Sequence, residues 1–124
     1  MVYLASALSF FLQELGKPIV LTGAQVPLTH PGSDGRSNLV NAVRAAASDL
    51  ADVAICFGTL VMRGTRARKT SAFDLQAITT SNEAPIGQIG LELRLADHAR
   101  RRAPRRHRFH ADSEVASRMN PIPQ

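Results

Sequence analysis

The sequence predicts an α/β domain with a mainly parallel sheet and crossover helices. Two short apolar runs, residues 19–22 and 53–57, are rich in β-branched side chains and are typical of strands buried on both faces. A stretch with helical periodicity lies between them. The order strand, loop, helix, strand favours two parallel strands joined by a helix that crosses between them.

A first helix is predicted over residues 3–15, ahead of the first strand. Gly16 and then Pro18 follow it, and both residue types are common just past a helix end. Apolar residues recur at helical spacing and are expected to form one face: Tyr3, Leu4, Ala7, Leu8, Phe11, Leu12 and Leu15.

The strand at residues 19–22 leads into a loop over residues 24–35, where two prolines and two glycines exclude regular structure. A second amphipathic helix is predicted over residues 37–50, with Ser33 or Ser37 as its cap. Its expected apolar face consists of Leu39, Val40, Val43, Ala46, Ala47 and Leu50. After the strand at residues 53–57, a turn and residues 60–62 suggest one strand more.

Ligands of such sheets bind just beyond the carboxyl ends of the strands. The candidate site therefore comprises residues 23–25 and the segment that follows Phe57.

The excess of basic over acidic residues is confined to one end of the chain. Residues 94–124 hold eight arginines and three acidic residues, so the whole net charge of +5 falls there and says little about the rest. Residues 100–108 combine like charges with few apolar side chains, which predicts a flexible linker. Binding of nucleic acid through phosphate contacts is the weaker alternative, because Phe109 is the only aromatic residue there for base stacking.

We interpret His107, His110 and Asp112 as incidental surface residues, because nearby arginines oppose a metal cation.

Cys56 is the only cysteine, so no intrachain disulfide can form. Its apolar surroundings predict a buried, inert thiol, which fits a reducing compartment. No run approaches the ~20 apolar residues that span a bilayer, and residues 1–4 lack the features of a signal peptide.

Several short motifs occur in one order along residues 1–93. They are ASALSF at 5–10, GKP at 16–18, LTGAQVPL at 21–28, SDGRSNL at 33–39, RGTRARK at 63–69 and SN at 81–82. As a set they resemble bacterial L-asparaginases, above all the cytoplasmic type I enzymes. The resemblance implies that residues 1–93 form part of the family's N-terminal α/β domain, and that residues 94–124 lead as a basic linker toward a missing C-terminal domain.

The family hydrolyses L-asparagine to L-aspartate and ammonia with a threonine nucleophile, and without a metal or organic cofactor. A threonine hydroxyl needs a nearby base to remove its proton, and a lysine does this when its surroundings allow the neutral form. The resemblance places the family's catalytic lysine at Lys69. It places the backbone carbonyl that accepts a hydrogen bond from the substrate's amide at Ala24. It further implies a homo-oligomer and a cytoplasmic location, with L-glutamine as a possible second substrate and no membrane partner.

Some of these residues also have an interpretation that involves no catalysis. Lys69 lies in a basic run and, without the family, would be a solvated lysine. Asp34 and Asn38 are interpreted as residues that order the loop and cap the following helix. Thr22, Thr29, Thr65 and Thr70 are poor replacements for the nucleophile, because none has an evident base within reach.

The sequence departs from the family in one serious respect. It contains neither the Gly-Gly-Thr turn that supplies the nucleophile nor the His-Gly-Thr-Asp-Thr segment that supplies the second threonine and the aspartate. We therefore expect negligible activity from this chain alone. Two alternatives stay open: an ammonia-supplying subunit of a tRNA-dependent amidotransferase, and a non-catalytic remnant that binds a partner.

Overall fold

The computed structural model describes residues 1–103 and residues 110–111. These residues form two helices and nine short strands, which confirms the α/β class. In chain order the elements are α1 (Val2–Phe11), β1 (Leu12–Gln13), β2 (Ile19–Leu21), α2 (Gly35–Ala46), β3 (Val53–Phe57), β4 (Leu60–Arg63), β5 (Ala67–Lys69), β6 (Ile78–Thr80), β7 (Gly87–Ile89), β8 (Leu93–Leu95) and β9 (His110–Ala111).

The main sheet has the strand order β2-β3-β4-β7-β8. Strands β2 and β3 are parallel, as predicted, with Ile19 opposite Val53. The pairs β3–β4, β4–β7 and β7–β8 are antiparallel, so the sheet is mixed rather than mainly parallel. For β3 and β4 the reason is the short connection, since only Gly58 and Thr59 separate them and a parallel pair would need a long crossover.

Strand β3 is buried along its whole length and divides the core into two clusters. On one side Ala54 and Cys56 belong to a cluster that includes Ala42 and Ala45 of α2. On the other side the remaining three β3 side chains share a cluster with Ala5 of α1. This alternation is expected for a central strand covered on both faces.

Helix α1 ends at Phe11, four residues before its predicted end. Leu12 adopts an extended conformation, and β1 pairs with β9 instead of continuing the helix. The predicted apolar face was right only in part: Leu8 and Leu15 pack against the cluster that contains Ala5, but Ala5 itself is the fully buried residue, and Tyr3 and Leu4 are exposed. Small residues make the contact because the helix lies very close to Gly64, where a Cβ would come within 3.0 Å of the Ala5 carbonyl oxygen.

Helix α2 begins at Gly35 and ends at Ala46, earlier than predicted at both ends. Its predicted apolar face was wrong too, because Leu39, Val40 and Val43 are each more than half exposed. The buried face consists of Gly35, Asn38, Ala42 and Ala45. Small side chains let the helix approach the sheet closely, and Asn38 is buried because it hydrogen-bonds to both strand ends, as described below.

Residues just past 93 continue the sheet and the core. Leu95 packs against the first cluster, Ala99 is buried in it, and Arg101 forms an isolated bridge with Leu50. The boundary between a domain and a linker stays a prediction. His107, Phe109 and Asp112 lie outside the described residues. Within the described residues, no helix is long and apolar enough to cross a membrane.

Candidate functional site

The loop after β2 is folded around the carboxylate of Asp34. The backbone amide of Gln25 donates to its Oδ1 and Oδ2 atoms at 2.9 and 3.0 Å, and the amide of Val26 donates to Oδ1 at 3.0 Å. Desolvation alone would raise the pKa of Asp34. Hydrogen bonds from Val26, Gln25 and Asn38, with one from its own amide, outweigh that effect and lower the pKa. The carboxylate is therefore ionised at neutral pH.

Asn38 joins the carboxyl ends of the two parallel strands. Its Nδ2 donates to the Gly23 carbonyl oxygen at 2.9 Å and to Asp34 Oδ2 at 3.0 Å. Its Oδ1 accepts from the Gly58 amide at 3.0 Å. The side chain is 1% exposed, so these three bonds replace water that it cannot reach. The predicted loop-ordering role of Asp34 and Asn38 is confirmed. Asp34 is the N-cap residue of α2, but no side chain forms a capping hydrogen bond there. The Ser33 hydroxyl accepts from the Gly35 amide at 3.0 Å.

A second set of amide side chains fixes the turn after β3. Asn41 Nδ2 donates to the Gly58 carbonyl at 3.0 Å. Gln76 Nε2 donates to the carbonyls of Phe57 and Ile78 at 3.1 and 2.9 Å, which ties β3 to β6. Strand β6 pairs with β5, so this contact also places Lys69 relative to β3. The sequence analysis missed Asn41 and Gln76, since no local pattern reveals partners in other elements.

A cleft of about 380 Å³ lies at the carboxyl ends of β2 and β3, where the sequence placed the candidate site. Both predicted site residues line it: Ala24 from the loop after β2, and Lys69 from the end of β5. Its full lining is Met1, Val2, Tyr3, Thr22, Gly23, Ala24, Gln25, Phe57, Lys69 and Ile78. Lys69 is exposed and forms no ion pair with any carboxylate in the described part of the chain.

Of the four threonines considered as replacement nucleophiles, only Thr22 lines this cleft. Its hydroxyl donates to the Asn38 carbonyl oxygen at 3.5 Å, and among the described residues it forms no hydrogen bond with a basic side chain. Thr29 lines a separate cleft, and Thr70 lies near the Ala77 carbonyl. The arrangement therefore offers a lysine and a backbone acceptor, but no activated hydroxyl.

A larger cleft, of about 580 Å³, includes Asp52, Arg100 and Arg101. Asp52, Arg100 and Arg101 each lie within 3.9 Å of an oppositely charged group, whereas Glu14, which also lines the cleft, has no such partner among the described residues. Asp52 Oδ2 lies 3.2 Å from Arg63 Nε, and Arg63 Nη1 lies 3.4 Å from Glu83 Oε1. Burial raises the pKa of Asp52, although Arg100 and Arg63 oppose the shift. We therefore interpret this cluster as a structural ion pair rather than as a reaction site.

Comparisons with known proteins agree with the resemblance. A family model described as "Asparaginase, N-terminal" matches residues 1–101. L-asparaginase 1 of Escherichia coli K12 is 41% identical over 95 residues, which cover 76% of this chain and 28% of the relative. One subunit of the glutamyl-tRNA(Gln) amidotransferase of Pyrococcus horikoshii is 38% identical over 94 residues, covering 70% of this chain and 22% of the relative.

A comparison with solved structures also finds an L-asparaginase. The crystal structure of L-asparaginase I from Vibrio cholerae superposes with a TM-score of 0.78 at 35% identity, covering 90% of this chain and 34% of that one. The chain thus spans about a third or less of the length of these relatives.

Proposed function

The chain belongs to the asparaginase family, and from this we propose that its cleft is part of the active site of an amidohydrolase acting on L-asparagine. Residues 1–93 would contribute part of the N-terminal domain, and the chain after them would lead toward a further domain. The whole enzyme would work in the cytoplasm as a homo-oligomer, and L-glutamine is a second candidate substrate.

One observation carries the proposal. Lys69 and Ala24 are 45 positions apart and were assigned through different motifs, yet both line one cleft at the carboxyl ends of β2 and β3. If either motif had been matched wrongly, the two residues would not be expected to line the same cleft.

The two residues would have different tasks. The Ala24 carbonyl would accept a hydrogen bond from the substrate's side-chain amide and thereby orient it. Lys69 would take the proton of a threonine hydroxyl as that oxygen attacks the amide carbon. Segments outside this sequence would supply the threonine. The C–N bond of the resulting adduct would break, with the proton held by Lys69 passing to the nitrogen, so that ammonia leaves and an ester to the threonine remains. Water would then hydrolyse that ester and release L-aspartate.

The test is ammonia release from L-asparagine by two proteins. We expect none above background from the 124-residue chain, because the threonine motifs are absent. We expect measurable release from a chimera in which residues 1–93 replace the matching segment of E. coli L-asparaginase 1. A folded but inactive chimera would argue against a catalytic role for this segment, and an active chain would contradict the expected need for the missing motifs.

A second candidate is an ammonia-supplying subunit of a tRNA-dependent amidotransferase, favoured by the similarity to the amidotransferase of P. horikoshii. In that case ammonia would pass to glutamate on transfer RNA, so the full-length protein, rather than the chimera, would depend on a partner protein for its activity. Sequencing the DNA upstream of the Met1 codon distinguishes the two enzymatic hypotheses, asparaginase and amidotransferase subunit, from a non-catalytic remnant. An in-frame His-Gly-Thr-Asp-Thr segment favours the enzymes, and its absence favours the remnant.

A further inference from the structure

We propose that Asp34 is a positioning residue that aims the Ala24 carbonyl into the cleft and makes the site prefer an amide over a carboxylate. This inference rests on the proposed function, because it concerns the residue that would receive the substrate's amide. It gives Asp34 a task beyond ordering the loop.

The geometry begins with a single peptide unit. The Ala24 carbonyl and the Gln25 N–H belong to the same planar group, and in a trans peptide these two bonds point in opposite directions. The Gln25 N–H points at Asp34, with both carboxylate oxygens within 3.0 Å of the nitrogen. The Ala24 carbonyl must therefore point to the side opposite Asp34, and Ala24 lines the cleft.

The neighbouring peptide is held as well. Asn38 Nδ2 donates to the Gly23 carbonyl at 2.9 Å, which fixes the plane between Gly23 and Ala24. The same Nδ2 also donates to Asp34 Oδ2 at 3.0 Å. The two planes that flank Ala24 determine its backbone torsions, so Asn38 and Asp34 together leave its carbonyl little freedom.

Charge adds a preference to this orientation. A carboxylate that accepts from a peptide N–H polarises the group and makes its carbonyl oxygen a stronger acceptor. A side-chain amide can donate to that oxygen, whereas an ionised carboxylate cannot. The arrangement would therefore favour L-asparagine over L-aspartate, the substrate over the product.

The test compares two ligands on the isotopically labelled 124-residue chain, by NMR titration at pH 7. Wild type is expected to bind L-asparagine more tightly than L-aspartate. Asp34→Asn should reduce that ratio by about tenfold, as for the loss of one hydrogen bond. Asp34→Glu, which keeps the charge but displaces it, should fall between. Asp97→Asn removes an exposed carboxylate and should leave the ratio unchanged.

A purely structural role for Asp34 predicts a different result: Asp34→Asn would weaken both ligands equally and leave the ratio unchanged, which would overturn the inference. If wild type binds neither ligand, the cleft of this chain alone does not hold the substrate, and ammonia release by the chimera decides the proposed function. Residual dipolar couplings then test the positioning alone, because they report the orientation of the two peptide planes. Asp34→Asn, or Asp34→Glu should the first variant not fold, is expected to reorient the plane between Ala24 and Gln25. Couplings that stay unchanged would overturn the inference without any ligand.

Discussion

Asn38→Ala should destabilise the fold more than any other single amide substitution in α2. The change removes the donor to the Gly23 carbonyl and the acceptor of the Gly58 amide, and both strand ends lose a partner. An unsatisfied buried polar group costs about 1–3 kcal/mol. The Gly23 carbonyl and the Gly58 amide, each partly hydrated in the variant, would together cost roughly 3 kcal/mol. That is a large share of the ~5–15 kcal/mol that stabilises a typical domain.

Urea unfolding followed by far-UV circular dichroism measures this loss. Asn41→Ala is the matched control, since it removes the same residue type from the same helix but only one hydrogen bond, to the Gly58 carbonyl. We expect it to cost about 1 kcal/mol. Equal losses for the two variants would refute the idea that Asn38 holds the strand ends together.

Three further predictions concern charge, reactivity and backbone conformation. Because the folded state lowers the pKa of Asp34, its contribution to stability should be complete above its ordinary value of 3.8 and disappear as the pH falls through the folded value; unfolding midpoints of wild type and Asp34→Asn should therefore converge in acid, and a constant difference would contradict this. Burial raises the pKa of Cys56 to about 11, so Ellman's reagent should label it only after unfolding, and rapid native labelling would show the thiol to be exposed. Gly58→Ala should cost about 1–3 kcal/mol, because the residue has a φ of +59° and a Cβ would overlap the Gln76 side chain; Gly90→Ala, which meets nothing within 4 Å, should be nearly neutral, and equal losses would contradict the reasoning.

The sequence predicted well where a single local pattern decides the structure. The β-branched run of β2 and the apolar run of β3 have few alternatives to a buried strand. The segment between them contains a helical pattern and is long enough for the crossover that joins two parallel strands. Placing the cleft at their carboxyl ends then required nothing but topology. The assignment of Lys69 and Ala24 came from motif resemblance, and no spacing rule would have found either.

Both predicted helix faces differ from the observed ones for one physical reason. The widest apolar stripe was expected to face the core, but α1 and α2 approach the sheet through Ala5, Ala42 and Ala45. Close approach requires small side chains, so the larger aliphatic residues are left on the outside. Asn38 is buried because its partners lie at two strand ends far away in the sequence, and a one-dimensional pattern does not contain that information.

The most direct test of the proposed site is the effect of Lys69→Met on ammonia release by the chimera with E. coli L-asparaginase 1. If Lys69 removes the nucleophile's proton, kcat should fall by at least about 100-fold, the lower range for a general base. Lys17→Met, at another exposed lysine, should leave kcat unchanged. A Lys69→Met chimera that keeps wild-type kcat would contradict the assignment of Lys69 and the catalytic interpretation of the cleft.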